Sequence, residues 1–354
     1  MNDTMATAPP QGASGHDESP PGLDLRALRS YLDRTVPGLV SGELTAMLLA
    51  GGHSNLTFEL GAGAGRWVLR RPPLGERPSA SHDMGREYRV MGALAASDVP
   101  VPEVLHYCED PSVIGAAFHL SAFVEGTVFR TTAQTALLGA ERAHDVSFEL
   151  VDVLAALHGV DPEAVGLGHF GRPAGFLQRQ VARWTGQAED VLAGFAGVET
   201  LVERLRTGMP ESQGSAIVHG DYRLDNVLVS GDGRIVAVLD WEMATLGDPL
   251  TDLGLLQCYW EGVDNPGGDG MRKGIDPALG FPEFGELSER YATRTGTEPA
   301  GLSWYAAFGY LKLAVLRGRI HRRFLEGNTP EGFETVGDLI APLLDQSRRT
   351  LERR

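Results

Sequence analysis

Residues 44–71 contain three short apolar segments that are separated by two glycine-rich turns. The segments are 44–50, 56–60 and 66–71, and the turns between them are 51–55 and 61–65. Apolar segments of this length between glycine turns predict strands that pair with their neighbours in an antiparallel meander. The chain is therefore expected to contain a small antiparallel sheet.

The pattern after this meander changes from strands to helices. Residues 81–96 repeat apolar side chains with a helical period, whereas 101–107 and 116–124 are predicted as two more strands of the same sheet. From residue 140 onward helical periodicity dominates, and 176–192 is predicted as a second helix of this region. Three short apolar segments that bracket polar loops interrupt the helices, namely 216–218, 227–229 and 235–239.

This layout predicts an α+β fold with two lobes. Residues 1–22 are rich in Pro, Gly, Ser and Asp and almost lack apolar residues, so we expect a disordered tail there. Residues 23–124 are predicted to form a small N-terminal lobe, an antiparallel sheet with one helix. Residues 125–354 are predicted to form a larger, mostly helical C-terminal lobe.

Charge and cysteine content exclude several classes of function. The 47 acidic residues against 31 basic ones give a net charge of −16, which repels phosphate backbones and anionic membranes. We therefore expect neither a nucleic acid nor a membrane as a partner. Only Cys108 and Cys258 are present, without a CxxC pair, so neither a disulfide framework nor a thiolate zinc site is supported. With no apolar stretch long enough to cross a bilayer, these features predict a cytoplasmic protein.

The most unusual polar residues lie in the loops between the three interrupting segments. Residues 219–226 read His-Gly-Asp-Tyr-Arg-Leu-Asp-Asn, and Asp240 follows the segment 235–239. Phosphoryl transfer from a nucleotide needs a carboxylate that accepts or orients the hydroxyl proton of the acceptor, together with oxygen ligands for a divalent metal. Asp221 fits the first role. Asn226 and Asp240 fit the second, so Asp221 and Asn226 are the candidate catalytic residues and Asn226 and Asp240 the candidate Mg²⁺ ligands.

Each of these residues has a plainer interpretation when it is taken alone. An Asp or Asn in a loop usually shapes a turn or caps a helix, but the joint spacing in strand-flanked loops favours the catalytic interpretation. We interpret His219 as a support for the loop, not as a proton carrier. Asp248 before Pro249 predicts a helix N-cap. Asp252, one turn further on, either reaches the metal or supports the catalytic loop.

Residues 219–226, together with Asp240-Trp241, resemble the catalytic and metal-binding loops of the aminoglycoside phosphotransferase family. In that family His-Gly-Asp is followed five residues later by Asn, and then by an Asp-Trp or Asp-x-Asp loop, and both parts are present here. The family shares its fold with choline kinases and protein kinases. The resemblance implies a two-lobed protein-kinase-like fold, ATP or GTP as donor, Mg²⁺, and transfer of the γ-phosphoryl group to a hydroxyl of a small molecule.

A kinase-like N-terminal lobe also needs groups that bind the nucleotide. The turn at 51–55 is the candidate phosphate loop, in which backbone amides around Gly52, the hydroxyl of Ser54 and the neighbouring Asn55 face a phosphate. By resemblance alone, Phe123 and Val124 belong to the hinge that pairs with the adenine edge.

The cation on the third strand has to be arginine, because both lysines of the chain come after residue 272. Strand alternation places Arg70 on the face of Val68 and Arg71 on the opposite face. We choose Arg70, since one branch of the family has arginine where most kinases have lysine, and we assign Glu87 on the following helix as its partner. The alternative is that Glu87 is an exposed helical glutamate.

The third strand, the catalytic loop and a basic C-terminal segment resemble one branch of the family in particular. Members of this branch occur alone or fused to acyl-CoA dehydrogenases and act on hydroxyacyl-CoA compounds, which implies a hydroxyacyl thioester as acceptor. The basic segment runs from Lys312 to Arg323. It is either a solvated helix face or an anion site that attracts an acceptor carrying phosphate or carboxylate.

Two other functions stay open. An aminoglycoside-type antibiotic is the alternative acceptor, which the net charge of −16 favours. A non-catalytic nucleotide-binding pseudokinase is the alternative of another class, supported by the missing strand lysine and the incomplete glycine turn. The sequence has no GxSxG, HExxH or dinucleotide-binding glycine pattern, so neither a hydrolase nor a dehydrogenase is supported. We expect a monomer or a homodimer.

Overall fold

The computed structural model describes residues 19–49, 55–73, 83–263, 274–327 and 333–353. Its β-strands are β1 (Thr45–Leu48), β2 (Leu56–Ala62), β3 (Gly65–Arg71), β4 (Val104–Cys108), β5 (Phe118–Ala122), β6 (Ala216–Val218), β7 (Val227–Val229), β8 (Ile235–Val238) and β9 (Thr245–Gly247). Its α-helices are α1 (Leu25–Thr35), α2 (Met84–Leu94), α3 (Thr132–Thr135), α4 (Ala140–Gly159), α5 (Phe176–Val191), α6 (Val198–Thr207), α7 (Leu250–Glu261), α8 (Phe284–Thr295), α9 (Leu302–Leu325) and α10 (Ile340–Glu352).

The described residues divide into two compact units. Those within 1–84 and 105–121 form one unit, which we call the sheet unit, and those within 85–104 and 122–354 form the other, the helical unit. A sheet in one unit and mainly helices in the other give the α+β class that the sequence predicts.

The sheet unit is built on five strands in the order β1-β2-β3-β5-β4. β2 pairs antiparallel with both β1 and β3, so the predicted meander is present. The second turn is tighter than predicted, because the β2–β3 pairing continues until Ala62 lies opposite Gly65 and leaves only Gly63 and Ala64 between them. Gly63 has a φ of +59°, a conformation that glycine adopts at little cost.

The helix α1 was not predicted from the sequence. The Asp24 carboxylate accepts the backbone N–H of Ala27 at 2.9 Å, which is a helix N-cap. Leu28 and Leu32, four residues apart, are buried in the same apolar core as Phe58 of β2. The N-cap residue Asp24 and the four-residue spacing of Leu28 and Leu32 can be recognised in the sequence, and they explain why this segment is helical.

The helical unit has its own apolar core. The stripe predicted for α4 is buried in full, with Val146, Leu150, Val153, Leu154 and Leu157 facing that core. α9 packs against α5, α7 and α10. Among the described residues, no helix combines the length and apolarity that are needed to cross a bilayer.

The helical unit also contains two short two-stranded sheets, β6 with β9 and β7 with β8. The three interrupting segments predicted from the sequence correspond to β6, β7 and β8, with β8 ending one residue earlier than expected. The strand β9 was not predicted. These two sheets position the loops that carry the candidate catalytic residues.

Candidate active site

The antiparallel pair β7–β8 brings the two predicted metal ligands to the same end of a hairpin. Val227 lies opposite Val238. Asn226 directly precedes β7 and Asp240 follows β8, so the pairing places both residues beyond the same pair of strand ends. The backbone N–H of Leu239 donates to the carbonyl oxygen of Asn226 at 2.8 Å and holds the two chain segments together at this end of the hairpin.

The pair β6–β9 positions the catalytic loop in a similar way. Val218 at the end of β6 lies opposite Thr245 at the start of β9, so the loop after β6 passes close to the chain before β9. Gly220 has a φ of +88°, and a Cβ at this position would lie 2.7 Å from the Cβ of Met243. Only glycine fits between the two segments without displacing the loop.

The carboxylate of Asp252 binds the backbone of the catalytic loop. It accepts the backbone N–H groups of His219 at 2.6 Å and of Gly220 at 2.8 Å. Nε2 of His158 lies 3.3 Å from the same carboxylate, and both side chains are buried. Of the two roles considered for Asp252, these contacts favour support of the catalytic loop.

We expect Asp252→Asn to destabilise the protein. An amide has one acceptor oxygen, so one buried backbone N–H loses its partner, which costs about 1–3 kcal/mol. Burial acts to raise the pKa of Asp252, but the hydrogen bond and charge of His158 and the hydrogen bond from the Gly220 N–H outweigh burial, so the pKa is lowered. The stability from this carboxylate is therefore present above the ordinary carboxyl pKa and is lost as pH falls through the lower folded-state value.

Urea denaturation of the wild type, Asp252→Asn and Asp145→Asn at neutral and acidic pH tests this expectation. Asp145 lies on α4 with an exposed side chain and serves as the matched control. Asp252→Asn should lower the free energy of unfolding at neutral pH and flatten its dependence on acid. Equal unfolding free energies for Asp252→Asn and the control would show that the carboxylate does not hold the loop.

His219 connects the catalytic loop with the metal loop. Its Nε2 lies 2.9 Å from the carbonyl oxygen of Leu239, and its Nδ1 accepts the backbone N–H of Asp221 at 3.3 Å. These partners place the proton on Nε2. The ring is fully buried and packs at 4.7 Å between centroids against Trp241. The contacts agree with the supporting role predicted for His219.

Asn226 and Arg223 orient the carboxylate of Asp221. Nδ2 of Asn226 donates to Oδ2 of Asp221 at 3.1 Å and to its carbonyl oxygen at 2.8 Å. Nε of Arg223 donates to the same Oδ2 at 3.2 Å. Because Asn226 uses its amide nitrogen in these contacts, its amide oxygen is the atom that can bind a cation.

The electrostatics of Asp221 suit a proton acceptor. Burial raises the pKa of this carboxyl, the charge of Arg223 opposes the rise, and the carboxylates of Asp240 and Asp225 add to it. The pKa is raised as a result. A carboxylate with a raised pKa takes up a proton more readily than an ordinary aspartate.

Asp240 has an unusual backbone conformation. Its φ of +67° and ψ of +58° are left-handed, and among the described residues it is the only non-glycine residue with positive φ. Such conformations cost energy and concentrate at functional sites. The next residue, Trp241, is fully buried and donates its indole N–H to the carbonyl oxygen of Val238 at 2.9 Å. The hydrogen bond and the burial of Trp241 hold the turn that contains Asp240.

Three carboxylates of the helical unit lie close together at Asp240. One oxygen each from Glu87, Asp240 and Glu242 lies within 4.8 Å of the others. Oxygen-only donors of this kind, with the amide oxygen of Asn226, match the preference of Mg²⁺ for hard ligands. The residues present therefore fit a magnesium ion. Glu87 is 1% exposed, so the alternative of an exposed helical glutamate is wrong.

Of the residues of the sheet unit that the sequence predicts as nucleotide contacts, the structure describes Asn55 and Arg70. Gly52 and Ser54 lie outside the described residues, whereas Asn55 is buried directly before β2. Arg71 is buried and donates to the carbonyl oxygens of Ile114 at 2.8 Å and Pro72 at 3.2 Å, so it is used within the sheet unit. Arg70 lies on the opposite face, as alternation predicts.

The nucleotide roles of these residues stay predictions. Arg70 belongs to the sheet unit and Glu87 to the helical unit, and their pairing is part of that prediction. Phe123 and Val124 directly follow β5 and are half-buried, and their assignment to an adenine hinge is equally a prediction.

Sequence reasoning missed three residues at this site. Glu242 stands two residues after Asp240, and the 3₁₀ turn 241–243 brings its carboxylate close to those of Asp240 and Glu87. His158 ends an apolar helix and gave only the weak signal of a lone histidine. Tyr222 is fully buried and donates to the carbonyl oxygen of Leu150 in α4, which ties the catalytic loop to the core.

Comparison with known proteins gives one family and a shared fold. Residues 45–290 match the family described as the phosphotransferase enzyme family. Acyl-CoA dehydrogenase family member 11 of Rattus norvegicus is 34% identical in an alignment 342 residues long that covers 93% of this chain and 44% of the rat protein. The chain thus spans less than half the length of this relative.

Solved structures confirm the predicted kinase-like α+β fold. A protein of Ralstonia eutropha, provisionally described as an aminoglycoside phosphotransferase, has a TM-score of 0.79 at 33% identity and covers 94% of this chain and 99% of its own. A thermostable mutant of aminoglycoside phosphotransferase APH(4)-Ia, solved with AMP-PNP and hygromycin B, has a TM-score of 0.58 at 18% identity. That match covers 92% of this chain and 98% of the other.

Proposed function

Because this chain belongs to the phosphotransferase enzyme family, we propose that it transfers the γ-phosphoryl group of ATP to a hydroxyl group of a small molecule, with Mg²⁺ as cofactor. The observation that carries the proposal is the contact between Asp221 and Asn226, at 3.1 Å, beside the loop of Asp240. This contact, with the β7–β8 pairing that brings Asn226 and Asp240 to one end of the hairpin, supports the proposal of a proton acceptor beside two oxygen ligands for a cation.

The chain's own residues have distinct tasks in this proposal. Asp221 accepts the proton of the acceptor hydroxyl as that oxygen attacks the γ-phosphorus, and the bond from the γ-phosphorus to the β–γ bridging oxygen breaks. Asn226 and Arg223 fix the carboxylate, while His219 and Asp252 fix the loop. Asn226 and Asp240 would hold Mg²⁺, with Glu242 near enough to assist. When bound, the ion neutralises charge on the phosphate oxygens.

ATP is the proposed donor and GTP the alternative. The structural relative solved with AMP-PNP supports a nucleoside triphosphate, since the ligand is an ATP analogue. We retain Asn55, Arg70 and the Phe123–Val124 segment as proposed nucleotide contacts, with Glu87 as the proposed partner of Arg70.

For the acceptor we propose a hydroxyacyl-CoA. Support comes from the rat relative, whose name is that of an acyl-CoA dehydrogenase and which aligns with almost the whole of this chain. An aminoglycoside is the second candidate, because the Ralstonia eutropha relative at 33% identity is provisionally described as an aminoglycoside phosphotransferase.

Turnover with matched acceptors tests the proposal and separates the two candidates. The full chain is incubated with MgATP and 3-hydroxybutyryl-CoA, with butyryl-CoA, which lacks the hydroxyl, or with kanamycin, and the products are identified by mass spectrometry. We expect a phosphorylated hydroxyacyl-CoA and no product from butyryl-CoA. Phosphorylated kanamycin without a phosphorylated thioester would overturn the acceptor, and no phosphorylated product from a wide panel of alcohols would overturn the proposed function.

A further inference from the structure

Arg86, in the first turn of α2, donates to backbone carbonyls of two distant segments. Its Nε and Nη2 donate to the carbonyl oxygen of Ala244 at 2.9 and 2.8 Å, and Nη2 also donates to the carbonyl oxygen of Phe170 at 2.8 Å. The partners are 158 and 84 residues away along the chain, and all three residues belong to the helical unit. One side chain therefore joins three segments of this unit.

These contacts require an arginine. The guanidinium carbon of Arg86 lies 3.9 Å from the ring centroid of Phe170, so the group stacks on this ring while it binds the two carbonyls. A guanidinium presents its N–H groups in a rigid planar fork, whereas the ammonium of lysine is a compact point charge on a flexible stem. Phe170 and Ala244 are both buried. A buried carbonyl that loses its donor is costly, so the fork of Arg86 holds the segments firmly.

Ala244 ends the segment that carries Asp240, which we call the metal loop and define as residues 240–244. Its backbone N–H donates to the carbonyl oxygen of Trp241 at 3.0 Å and closes the 3₁₀ turn after Asp240. Its carbonyl oxygen accepts both bonds from Arg86. The conformation of the metal loop is thus connected through Ala244 to α2.

The second partner of Arg86 lies against the strand that follows the metal loop. A Cβ at Gly171, next to Phe170, would lie 2.5 Å from Oγ1 of Thr245 and 2.6 Å from the backbone nitrogen of Leu246. The segment that contains Phe170 therefore approaches β9 so closely that only glycine fits. Arg86 binds one carbonyl on each side of this contact and keeps the two segments together.

The neighbour of Arg86 on α2 is Glu87, a member of the carboxylate group at the candidate metal site. One oxygen each from Glu87, Asp240 and Glu242 lies within 4.8 Å of the others. Ionised carboxylates at such distances repel one another. The metal loop therefore needs a contact that keeps it beside α2, and the hydrogen bonds from Arg86 to Ala244 supply one.

We propose that Arg86 is a positioning residue of the magnesium site. By binding the carbonyl of Ala244 it holds the metal loop against α2, so that Asp240 and Glu242 lie beside Glu87 before a cation binds. Arg86 acts through the metal loop and has no contact with the cation in this proposal. The inference rests on the proposed function, since it concerns the Mg²⁺ site of that reaction.

Two substitutions of Arg86 and one matched control test the inference. Arg86→Gln removes the charge and the fork, whereas Arg86→Lys keeps the charge and carries the test alone if Arg86→Gln does not fold. Arg89→Gln is the control. Arg89 lies on the same helix with the same charge, but it is exposed, and its Nε donates to the carbonyl oxygen of Gly85 in the same helix at 3.1 Å.

Mn²⁺ binding in the presence of AMP-PNP, followed by electron paramagnetic resonance, measures the effect on the site. We expect the Mn²⁺ dissociation constant to rise about 10- to 100-fold in Arg86→Gln, as is usual when the support of a metal ligand is removed. Arg86→Lys should lie between Arg86→Gln and the wild type, and Arg89→Gln should match the wild type. Binding of AMP-PNP in EDTA should be equal in all four proteins, because Arg86 does not bind the nucleotide.

Hydrogen exchange of the metal-free chain, read by mass spectrometry, measures the contact itself. In both Arg86 variants, peptides that cover 168–171 and 240–247 should exchange faster than in the wild type, while peptides from α4 and α9 should be unchanged. Local opening of this kind separates loss of one contact from loss of overall stability. This measurement needs neither metal nor substrate.

Four results would overturn the inference: wild-type Mn²⁺ affinity in both Arg86 variants, an equal loss in Arg89→Gln, weaker AMP-PNP binding in EDTA, or exchange in the metal loop that is unchanged or that rises only together with the whole chain. Failure of the wild type to bind Mn²⁺, or to phosphorylate any alcohol, would instead contradict the proposed function. In that case the exchange data would still decide whether Arg86 holds the metal loop.

Discussion

Asp221→Asn is expected to reduce phosphoryl transfer by roughly 10²- to 10⁴-fold, the usual contribution of a general base. The substitution keeps the shape of the side chain but removes the group that accepts the acceptor's proton. MgATP binding should persist, since Asn226 and Asp240 are unchanged. Steady-state rates with a saturating acceptor, together with nucleotide binding by calorimetry, measure the two effects separately.

Asp232→Asn is the matched control for this substitution. Asp232 lies in the exposed turn between β7 and β8, in the same part of the chain but away from the loops. Its rate should equal that of the wild type. If Asp221→Asn turned over as fast as the control, Asp221 would not be the proton acceptor.

Asp240→Asn is expected to lower activity by about 10³-fold, because metal ions contribute several kcal/mol of charge stabilisation to phosphoryl transfer and each 1.4 kcal/mol is a factor of ten. Asparagine tolerates the left-handed backbone that Asp240 adopts, so the fold should be preserved. The Mg²⁺ concentration that gives half-maximal activity should rise. Activity as a function of Mg²⁺ concentration measures this change.

Comparison of Asp240→Ala with Asp240→Asn separates the effect of losing the metal ligand from the effect of straining the left-handed backbone. Asp240→Ala also removes the carboxylate, but alanine in a left-handed conformation costs roughly 1–2 kcal/mol. We expect both variants to lose activity to a similar extent, with only Asp240→Ala clearly less stable to urea. Full activity in Asp240→Asn at low Mg²⁺ would contradict the assignment of this residue as a metal ligand.

The local pattern of the sequence was sufficient for most strands and helices. The β2–β3 meander and the three strands around the catalytic loop follow from short apolar segments between turns, and the α4 stripe follows from helical periodicity. The errors are at ends and in short elements. α1 depends on one cap and two leucines, and β9 has three residues and forms because it can pair with β6, a long-range contact that no local pattern records.

In the candidate site too, residues with a local sequence pattern were predicted, whereas contacts between distant residues were not. Asp221, Asn226 and Asp240 were predicted as site residues because their spacing matches the chemistry of phosphoryl transfer. The contribution of Glu87 to the carboxylate group, and the support of Asp252 by His158, arise from residues far apart in the chain.

The basic segment on α9 separates into two groups in the structure. Arg319, Arg322 and Arg323 are exposed, which agrees with a solvated helix face, whereas Lys312 and Arg317 are half-buried. This division depends on which side of α9 packs against α5 and α7, and charge counting could not supply it.

The most direct test of the account is whether Asn226 and Asp240 hold a divalent cation. Mn²⁺ binding to the full chain in the presence of AMP-PNP is followed by electron paramagnetic resonance for the wild type and for Asn226→Ala combined with Asp240→Asn. We predict a protein-bound Mn²⁺ signal in the wild type that is lost or much weaker in the double variant. An unchanged bound signal in the double variant would show that the metal is held elsewhere and would contradict the central claim.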